Sequence, residues 1–449
     1  MRIIVCVKVI KGEINPFDGS ALECALRLSD DVTVVTMGPE SAKEALLPLT
    51  RLGAKAVLLS DPVFAGSDTL ATSYVLSEAI KMIGYDLVIC GRQSIDGDTA
   101  QVGPMISARL GIPVITCAMN LDLKDNAAHA VTRDGNETAT LPAVVTLEKG
   151  FVLRFPSIFS KVGKVEVLNN SHLGCDASRC GLSGSPTRVL KTFENQKGRR
   201  NCKFITRNEL LSLIQELREK TYAREEKCVM QKLKSVWAVG HDVAEIAADI
   251  ADEVITIPKL QPDEIAQRAA AARPEVILWS ADLWGRKNAP IVAAMLETGL
   301  CADCTELEAD EDELIMYRPA GGGNVYAKIR CITRPQMATC RTKEQNSDIY
   351  VACGKGVSEY ADKVFDFAKS IGAACAASRG LVDIGKAPYE MQVGLTGKTV
   401  SPRIYIAVGI SGAVHHTCAI EGADTVIAIN PDKNARIFDY ADYGLLENF

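Results

Sequence analysis

The segment IYIAVGISGAVHH, residues 404–416, decides how this chain is read. Ile404 to Val408 are five consecutive apolar residues and read as a buried strand. Gly409 and Gly412 allow a tight turn after it, and a helix is expected to follow with Ser411 as its N-cap. Free N–H groups and the helix dipole at such an entry favour a phosphate. The same pattern serves equally well as a plain strand–turn–helix joint. His415 and His416, in the expected first helical turn, tip the reading towards a ligand, because two histidines lie beside whatever the turn cradles.

The flanking segments extend the pattern. MQVGLTGKTVSP (391–402) supplies glycines, Thr396 and Thr399 for close backbone approach, or simply a hairpin turn. CAASRG (375–380) places Ser378 and Arg379 directly after an apolar run. Polar loops following parallel strands converge at the carboxyl edge of the sheet, where open α/β sheets bind ligands.

The rest of the chain also alternates short β-rich runs with helical patterns, which predicts an α/β protein with parallel sheets. At the N-terminus a strand is expected over Ile3–Val9, a helix over Ala21–Leu28 and a strand over Val32–Thr36. An amphipathic helix follows over Asp68–Ile83 with Ser67 as N-cap, then a strand over Leu87–Cys90. LPAVVTLEKG (141–150) is a further strand, its Pro142 at the start where a missing donor is tolerated. Between about Asn169 and Gln231 the pattern thins to turns, a basic patch near Lys197–Arg200 and one helix, Arg207–Lys220. A new α/β unit begins at Val236. Its segment Pro274–Leu314 repeats the plan of Tyr85–Leu123: strand, loop, helix, turn, short strand and acidic turn. Two copies point to pseudo-symmetric domains packed together. The first keeps an Asp- and Gly-rich loop, GRQSIDGDTAQVGP (91–104), whose amides suit a phosphate; the second has lost it.

Composition narrows the function. With 449 residues the chain has room for about three domains. A formal charge of -6 gives no electrostatic footprint for nucleic acid. No apolar run reaches the ~20 residues of a membrane span, and Met1–Lys8 lacks the layout of a signal peptide, so a cytoplasmic protein is expected. The 15 cysteines lie mostly in apolar segments and read as buried thiols in a reducing compartment. Cys301 and Cys304 form a CxxC, but no second pair completes a zinc or iron–sulfur set. There is no GxxxxGK[ST] loop, no HExxH, no strict GxGxxG after a strand, and no nucleophile–base spacing. No catalytic or metal-ligating residue is therefore expected.

These motifs, taken in order, carry a resemblance. ASR (377–379), QVGLTGKTVSP (392–402), YIAVGISGAVHH (405–416), AIN (428–430) and ADYG (441–444) resemble the flavin-binding domain of the electron transfer flavoprotein α subunit. GLCADCT (299–305), RPAGGGN (318–324) and RPQMATCR (334–341) resemble that subunit's N-terminal domain. INPFDGSALECALRL (14–28), IDGDTAQVGP (95–104), LPAVVT (141–146) and GLSGSPTRV (181–189) resemble the β subunit. The chain thus resembles a β–α fusion. The implied layout is a β-like domain over 1–220, a linker over 221–232, an α-like N-terminal domain over 233–345 and a FAD-binding domain over 346–449.

The resemblance implies roles for individual residues. Ser378 and Arg379 match the serine and arginine at the flavin, the arginine over the isoalloxazine ring. Gln392, Val393, Gly394, Leu395 and Thr396 match the flavin-contacting loop, with Thr396 near N5 of the ring. Ser411, Gly412, Ala413, Val414, His415 and His416 match the family's SGAIQH, with His416 near the N1/O2 edge. Lys355 stands where the family usually has an arginine at the pyrophosphate, a point charge in place of a bidentate contact. Asn430, Asn448 and Phe449 fall on positions at the adenosine end. A cation or donor near N1 and O2 favours the reduced ring, a role expected of Arg379 and His416.

A second nucleotide is implied in the β-like half: AMP, or a second FAD as in electron-bifurcating members. The matching positions are Cys6, Asn15, Pro16, Phe17, Asp18, Met37, Asp98, Thr99, Ala100, Gln101, Val102 and Gly103. Lys8 and Asn15 stand closer together than in the family, and RFPSIFSKVGK (154–164) replaces its usual partner-recognition pattern. The expected function is a FAD electron carrier, not an enzyme, with the C-terminal domain as a mobile flavin head. It would take electrons from a flavin dehydrogenase of the acyl-CoA dehydrogenase type, as in fatty acid β-oxidation. A quinone oxidoreductase or a ferredoxin-type protein would accept them. The alternatives are an electron-bifurcating flavoprotein with two FADs and an adenine-nucleotide-dependent enzyme of α/β fold.

Overall fold

The computed structural model describes residues 1–132, 134–194, 199–219, 232–320, 325–344 and 347–449. The chain divides into two compact units. The first holds Met1–Thr192, Gln231–Gly321 and Ala327–Cys340; the second holds Phe193–Met230, Gly322–Tyr326 and Arg341–Phe449.

The first unit begins with a parallel strand at Arg2–Cys6. From there the chain steps outward through Asp31–Met37 and Lys55–Leu59, then returns to the other flank at Leu87–Gly91. Ala143–Leu147 and Val114–Ala118 extend that flank, and Val165–Leu168 closes the opposite edge of the seven-stranded sheet. The strand order reverses between Arg2–Cys6 and Leu87–Gly91, where Cys6 and Cys90 are register partners. A crevice opens at the carboxyl end of such a switch. Pro16 at the first helical position starts the helix Pro16–Leu28, which lays Phe17, Ala21, Leu22 and Ala25 on the sheet. The short segment after the first strand is a hairpin, Val9–Ile10 against Glu13–Ile14. It turns on Lys11 and Gly12 in left-handed conformations. This tight turn sets Lys8 beside Asn15, whose N–H donates to the Lys8 carbonyl at 2.9 Å. The next long helix spans Thr69–Ile83. Its cap is Asp68, which accepts from the N–H groups of Leu70 and Ala71, whereas the expected cap Ser67 donates to the Phe64 carbonyl.

The repeat legible in the sequence is a repeat of topology. Five strands of the second half, ordered Ala251–Ile257, Leu233–Val239, Val276–Ser280, Gln336–Cys340 and Leu300–Cys304, reproduce five of the first sheet in the same order. The left-handed residues recur too: Cys117 and Asp303 both have φ 58° at a bulge before the strand end. The two related helices, Val102–Leu110 and Leu283–Met295, pack on one another. Arg109 pairs with Glu297 at 3.0 Å beside that contact.

The second unit is a seven-stranded parallel sheet in the order Lys203–Phe204, Tyr443–Leu445, Thr425–Ile429, Ile404–Val408, Ile349–Cys353, Ala374–Ser378 and Gln392–Val393. Its switch point lies between Ile349–Cys353 and Ile404–Val408. Residues 199–219, which the sequence reading assigns to the 1–220 domain, build part of this unit instead. Lys203 and Phe204 pair with Tyr443 and Gly444, and the helix Arg207–Glu219 buries Leu210, Ile214 and Leu217 against Ile349 and Ile404. The i, i+4, i+7 stripe of that helix finds its apolar partner on this sheet. Residues 221–231 of the expected linker, the motif 321–324 and the expected boundary at 345–346 lie outside the described residues. Among the described residues no helix is long and apolar enough to cross a membrane.

Candidate functional site

The switch point of the second unit is built from glycines. Gly354 ends the first strand and donates to the Val408 carbonyl at 2.8 Å. A Cβ on Gly354 would stand 2.0 Å from the Gly409 carbonyl oxygen, so the two strand ends approach as closely as bare backbone allows. Gly409 and Gly412 have φ of 64° and 80°, and a Cβ on Gly412 would meet the Ile437 nitrogen at 2.1 Å. The helix after the turn is only Val414–Thr417, capped by Ala413, with Ser411 exposed outside it. Four residues sum to little macrodipole, so an anion here would rest on the N–H groups of the turn rather than on a helix end.

The neighbouring loops close on the same edge. Gly394, at φ 151°, passes so near the 415–416 backbone that a Cβ would be 2.9 Å from the His415 oxygen. Leu395 donates to that oxygen at 2.6 Å. The 393–396 loop and the 411–416 turn are therefore one packed piece. Gln392 is buried and donates to Thr396 Oγ1 at 2.8 Å, while its Oε1 has no partner among the described residues. Lys355 is exposed just past Gly354, Ser378 ends the adjacent strand and Arg379 begins the short helix Arg379–Asp383. The Arg379 guanidinium is held by Asp383 at 3.2 Å, one helical turn on.

His416 departs from the cationic role. Its Nε2 meets the Tyr405 hydroxyl at 2.8 Å inside the core. Burial pulls its pKa down to about 4, offset only in part by the Val393 backbone, so the ring is neutral at pH 7. Arg379 is then the one cation of that expected pair. Asn430 spends its amide within the protein, donating to the Ile410 carbonyl at 3.0 Å and accepting from Asp432 N–H at 2.9 Å. These two bonds tie the turn after Ile410 to the backbone at Asp432. Asn448 accepts from Arg207 through its carbonyl, and the Phe449 ring packs edge-on to Phe367 at 5.5 Å. The sheet edge of the second unit thus carries Lys355, Ser378, Arg379, 392–396 and 411–416, while Asn430, Asn448 and Phe449 make contacts within the unit.

The first unit carries a cavity of about 830 Å³ at its own switch point, within the range of small-molecule sites. It is lined by Cys6, Asn15, Asp18, Met37, Thr99, Ala100, Gln101, Val102 and Gly103 from the expected set. Pro16, Phe17 and Asp98 do not reach it. Pro16 points to solvent, and Phe17 is buried in the core under the Lys149 ammonium at 4.6 Å. Asp98 turns aside to accept from Gln93 Nε2 at 2.9 Å. The 92–101 loop is held open by Asn15, which donates to the Gln93 carbonyl and accepts from Ile95 N–H, and by Lys8, which pairs with Asp96 at 2.7 Å. Asp98 and Ala100 adopt φ of 50° and 55°, a strained loop backbone. Gly91 lets the Pro16–Leu28 helix start close to its strand: a Cβ there would fall 2.2 Å from Asp18 Oδ1. Burial raises the Asp18 pKa to about 7, against hydrogen bonds from the Lys8 and Gly91 backbone and the Asn15 side chain.

Sequence reading missed the other wall, made by Gly38–Glu40, Ser60–Pro62 and Ser67–Thr69. Its signal was available for two of the three segments, because Gly38–Glu40 and Ser60–Pro62 directly follow the strands Asp31–Met37 and Lys55–Leu59 at the same sheet edge, while Ser67–Thr69 opens the helix Thr69–Ile83. Among the described residues no cluster of histidine, cysteine or carboxylate groups suits a metal ion.

Two doubly wound units, each with a glycine-assisted switch point, define an α/β nucleotide- and flavin-binding class of protein. Residues 3–172 and 236–355 match the electron transfer flavoprotein domain, and residues 345–421 match the electron transfer flavoprotein FAD-binding domain. The chain belongs to the electron transfer flavoprotein family, with β-type and α-type portions in succession. It is 39% identical over 237 residues to the electron transfer flavoprotein subunit beta of Megasphaera elsdenii, covering 43% of this chain and 87% of that one. It is 35% identical over 268 residues to the subunit alpha of Thermoanaerobacterium thermosaccharolyticum, covering 46% and 81%. It is 36% identical over 261 residues to the caffeyl-CoA reductase-Etf complex subunit CarD of Acetobacterium woodii, covering 49% and 99%.

Proposed function

We propose that the chain is a cytoplasmic electron carrier that holds FAD in the second unit and AMP in the first. The carrying observation is the bare backbone at Gly354, Gly409 and Gly412, where a Cβ at any position would strike the neighbouring chain at Gly409, Val357 or Ile437. A pyrophosphate needs such bare backbone, and the Gln392 oxygen in the 392–396 loop, partnerless among the described residues, suits a ligand donor. Lys355 would hold the pyrophosphate, with Ser378, Arg379 and the 393–396 loop around the ring. Bound FAD supplies reversible uptake and release of electrons. Arg379 biases that exchange by placing positive charge at the ring, with Asp383 fixing its orientation. Buried, neutral His416 and Tyr405 keep the turn rigid and dry behind it. The free state of every described cysteine accords with a reducing compartment.

The donor on this reading is a flavin dehydrogenase of the acyl-CoA dehydrogenase type, and the acceptor a quinone oxidoreductase or ferredoxin-type protein. Mixing the purified chain with an acyl-CoA dehydrogenase and its substrate tests the donor: bleaching of the bound flavin supports it, and an unbleached spectrum contradicts it. A second reading, two FADs with electron bifurcation, is favoured by one observation: the first-unit cavity of about 830 Å³ is roomy for a mononucleotide.

A further inference from the structure

The first-unit cavity has two unlike walls. Its central strands lie side by side in the order Asp31–Met37, Arg2–Cys6, Leu87–Gly91, so the 92–103 loop follows one flank and Gly38–Glu40 follows the other. Two strand spacings, about 10 Å, separate the flanks. That span suits a mononucleotide laid across the switch point, its phosphate at the 92–103 loop and its ribose towards Gly38–Glu40. The backbone there is pinned: Gly38 N–H donates to the Leu59 carbonyl at 3.1 Å, and Ala42 N–H to the Pro39 carbonyl at 2.9 Å.

Nearly every charged group lining the cavity is spent on the protein itself. Asp18 accepts from the Lys8 N–H at 2.7 Å. Asp61 accepts from the N–H groups of Val63 and Asn170, each at 2.9 Å. Asp68 caps the helix at Leu70 and Ala71 with one oxygen and takes the N–H and hydroxyl of Thr187 with the other. Both cations are paired, Lys8 with Asp96 at 2.7 Å and Arg92 with Glu148 at 2.6 Å. Glu40 is the exception. It lines the cavity and is exposed, and its carboxylate makes no hydrogen bond or ion pair among the described residues. Its place in the topology has a meaning. Strand Arg2–Cys6, helix Pro16–Leu28 and strand Asp31–Met37 form a parallel βαβ unit, and an acid just past the second strand of such a unit accepts from nucleotide ribose hydroxyls.

We propose that Glu40 is the ribose-selecting residue of this cavity, accepting from the 2′- and 3′-hydroxyls and rejecting adenine nucleotides that carry a phosphate on either. The proposal rests on the reading of the cavity as an adenine-nucleotide site. A carboxylate with two unspent oxygens can take both vicinal hydroxyls, and hydrogen bonds to a charged acceptor are the stronger kind. A phosphate at the same place sets like charges against each other, and no lining cation is left to neutralise it, since Lys8 and Arg92 are already paired. The ligand class is therefore an adenosine 5′-phosphate with an unmodified ribose. AMP and the adenosine half of FAD both qualify, whereas the phosphorylated riboses of coenzyme A and NADP do not.

The test is equilibrium dialysis of the full chain against labelled AMP, with unlabelled AMP, 2′-deoxy-AMP, adenosine 2′,5′-bisphosphate and adenosine 3′,5′-bisphosphate as competitors. In the parent, the deoxy compound and both bisphosphates are expected to compete about ten-fold less well than AMP, or worse. In Glu40→Ala, which leaves no acceptor, AMP weakens about ten-fold and 2′-deoxy-AMP competes as well as AMP does. In Glu40→Gln, which keeps an acceptor and removes the charge, the bisphosphates regain most of their deficit. Glu40 is exposed, so both variants keep the fold. Equal competition by all four nucleotides in the parent, or preferences unchanged in the variants, would overturn the role of Glu40 while leaving the nucleotide site standing. A parent chain that takes up no labelled AMP would contradict the nucleotide reading, and the Glu40 contact would fall with it.

Discussion

Asp18 and His416 are buried titratable groups at the two switch points, and they pull on stability in opposite directions. Asp18 holds its proton up to about pH 7 in the folded chain, while an unfolded Asp releases it near 3.8. Stability is then full below pH ~4 and falls as pH rises to about 7, by on the order of 4 kcal/mol for a shift of ~3 units. Asp18→Asn removes that fall, so its urea midpoint relative to the parent rises between pH 4.5 and pH 8. His416 behaves inversely. Its folded pKa of about 4 lies below the unfolded 6.5, so stability is full above pH ~6.5 and is lost as pH falls towards 4, by roughly 3 kcal/mol. His416→Asn abolishes the loss, measurable by acid titration of the second unit's unfolding. Arg379 acts on the cofactor instead. Arg379→Ala is expected to lower the flavin midpoint potential by about 40–130 mV, the one-electron equivalent of ~1–3 kcal/mol. Asp383→Asn, which frees the same guanidinium, raises it; an unchanged potential in fully loaded variants removes the assigned role of Arg379.

At the scale of elements, the turn after Ile404–Val408 carries the argument. Gly412→Ala combines a left-handed φ of 80° with a Cβ 2.1 Å from the Ile437 nitrogen. It should cost ~1–3 kcal/mol and most of the bound FAD, read from flavin absorbance per chain. Gly385→Ala is the control: its φ is 73° but its Cβ would meet open space, so the flavin should stay. Most strands were legible because apolar runs such as Ile404–Val408 and Leu87–Cys90 are covered on both faces. The helix after Gly412 was not, since its shortness follows from Ile437 packing on the turn, a contact 25 positions away. Ser67 was misread as a cap for a simpler reason. Two adjacent residues, Ser67 and Asp68, both have capping side chains, and Asp68 takes the amides because the Phe64 carbonyl occupies the serine. The helix Arg207–Glu219 was seen correctly as a helix, but its partner sheet could not be read locally.

At the scale of the whole molecule, the family motifs located the loops at the second unit's switch point, while the hydrogen-bond partners of Asn430 and His416 were not legible. Their side chains are claimed by Ile410, Asp432 and Tyr405, contacts that no spacing in the sequence reveals. The internal repeat was legible as a plan. It became a statement about function only when the first copy's longer loop was found to wall a cavity. The central claim is one FAD in the second unit and AMP in the first. Heat-releasing the ligands from purified protein and separating them by chromatography tests it directly. The account predicts one FAD and one AMP per chain. Two FADs per chain would replace AMP with a second flavin, and protein with no FAD at all would contradict the account.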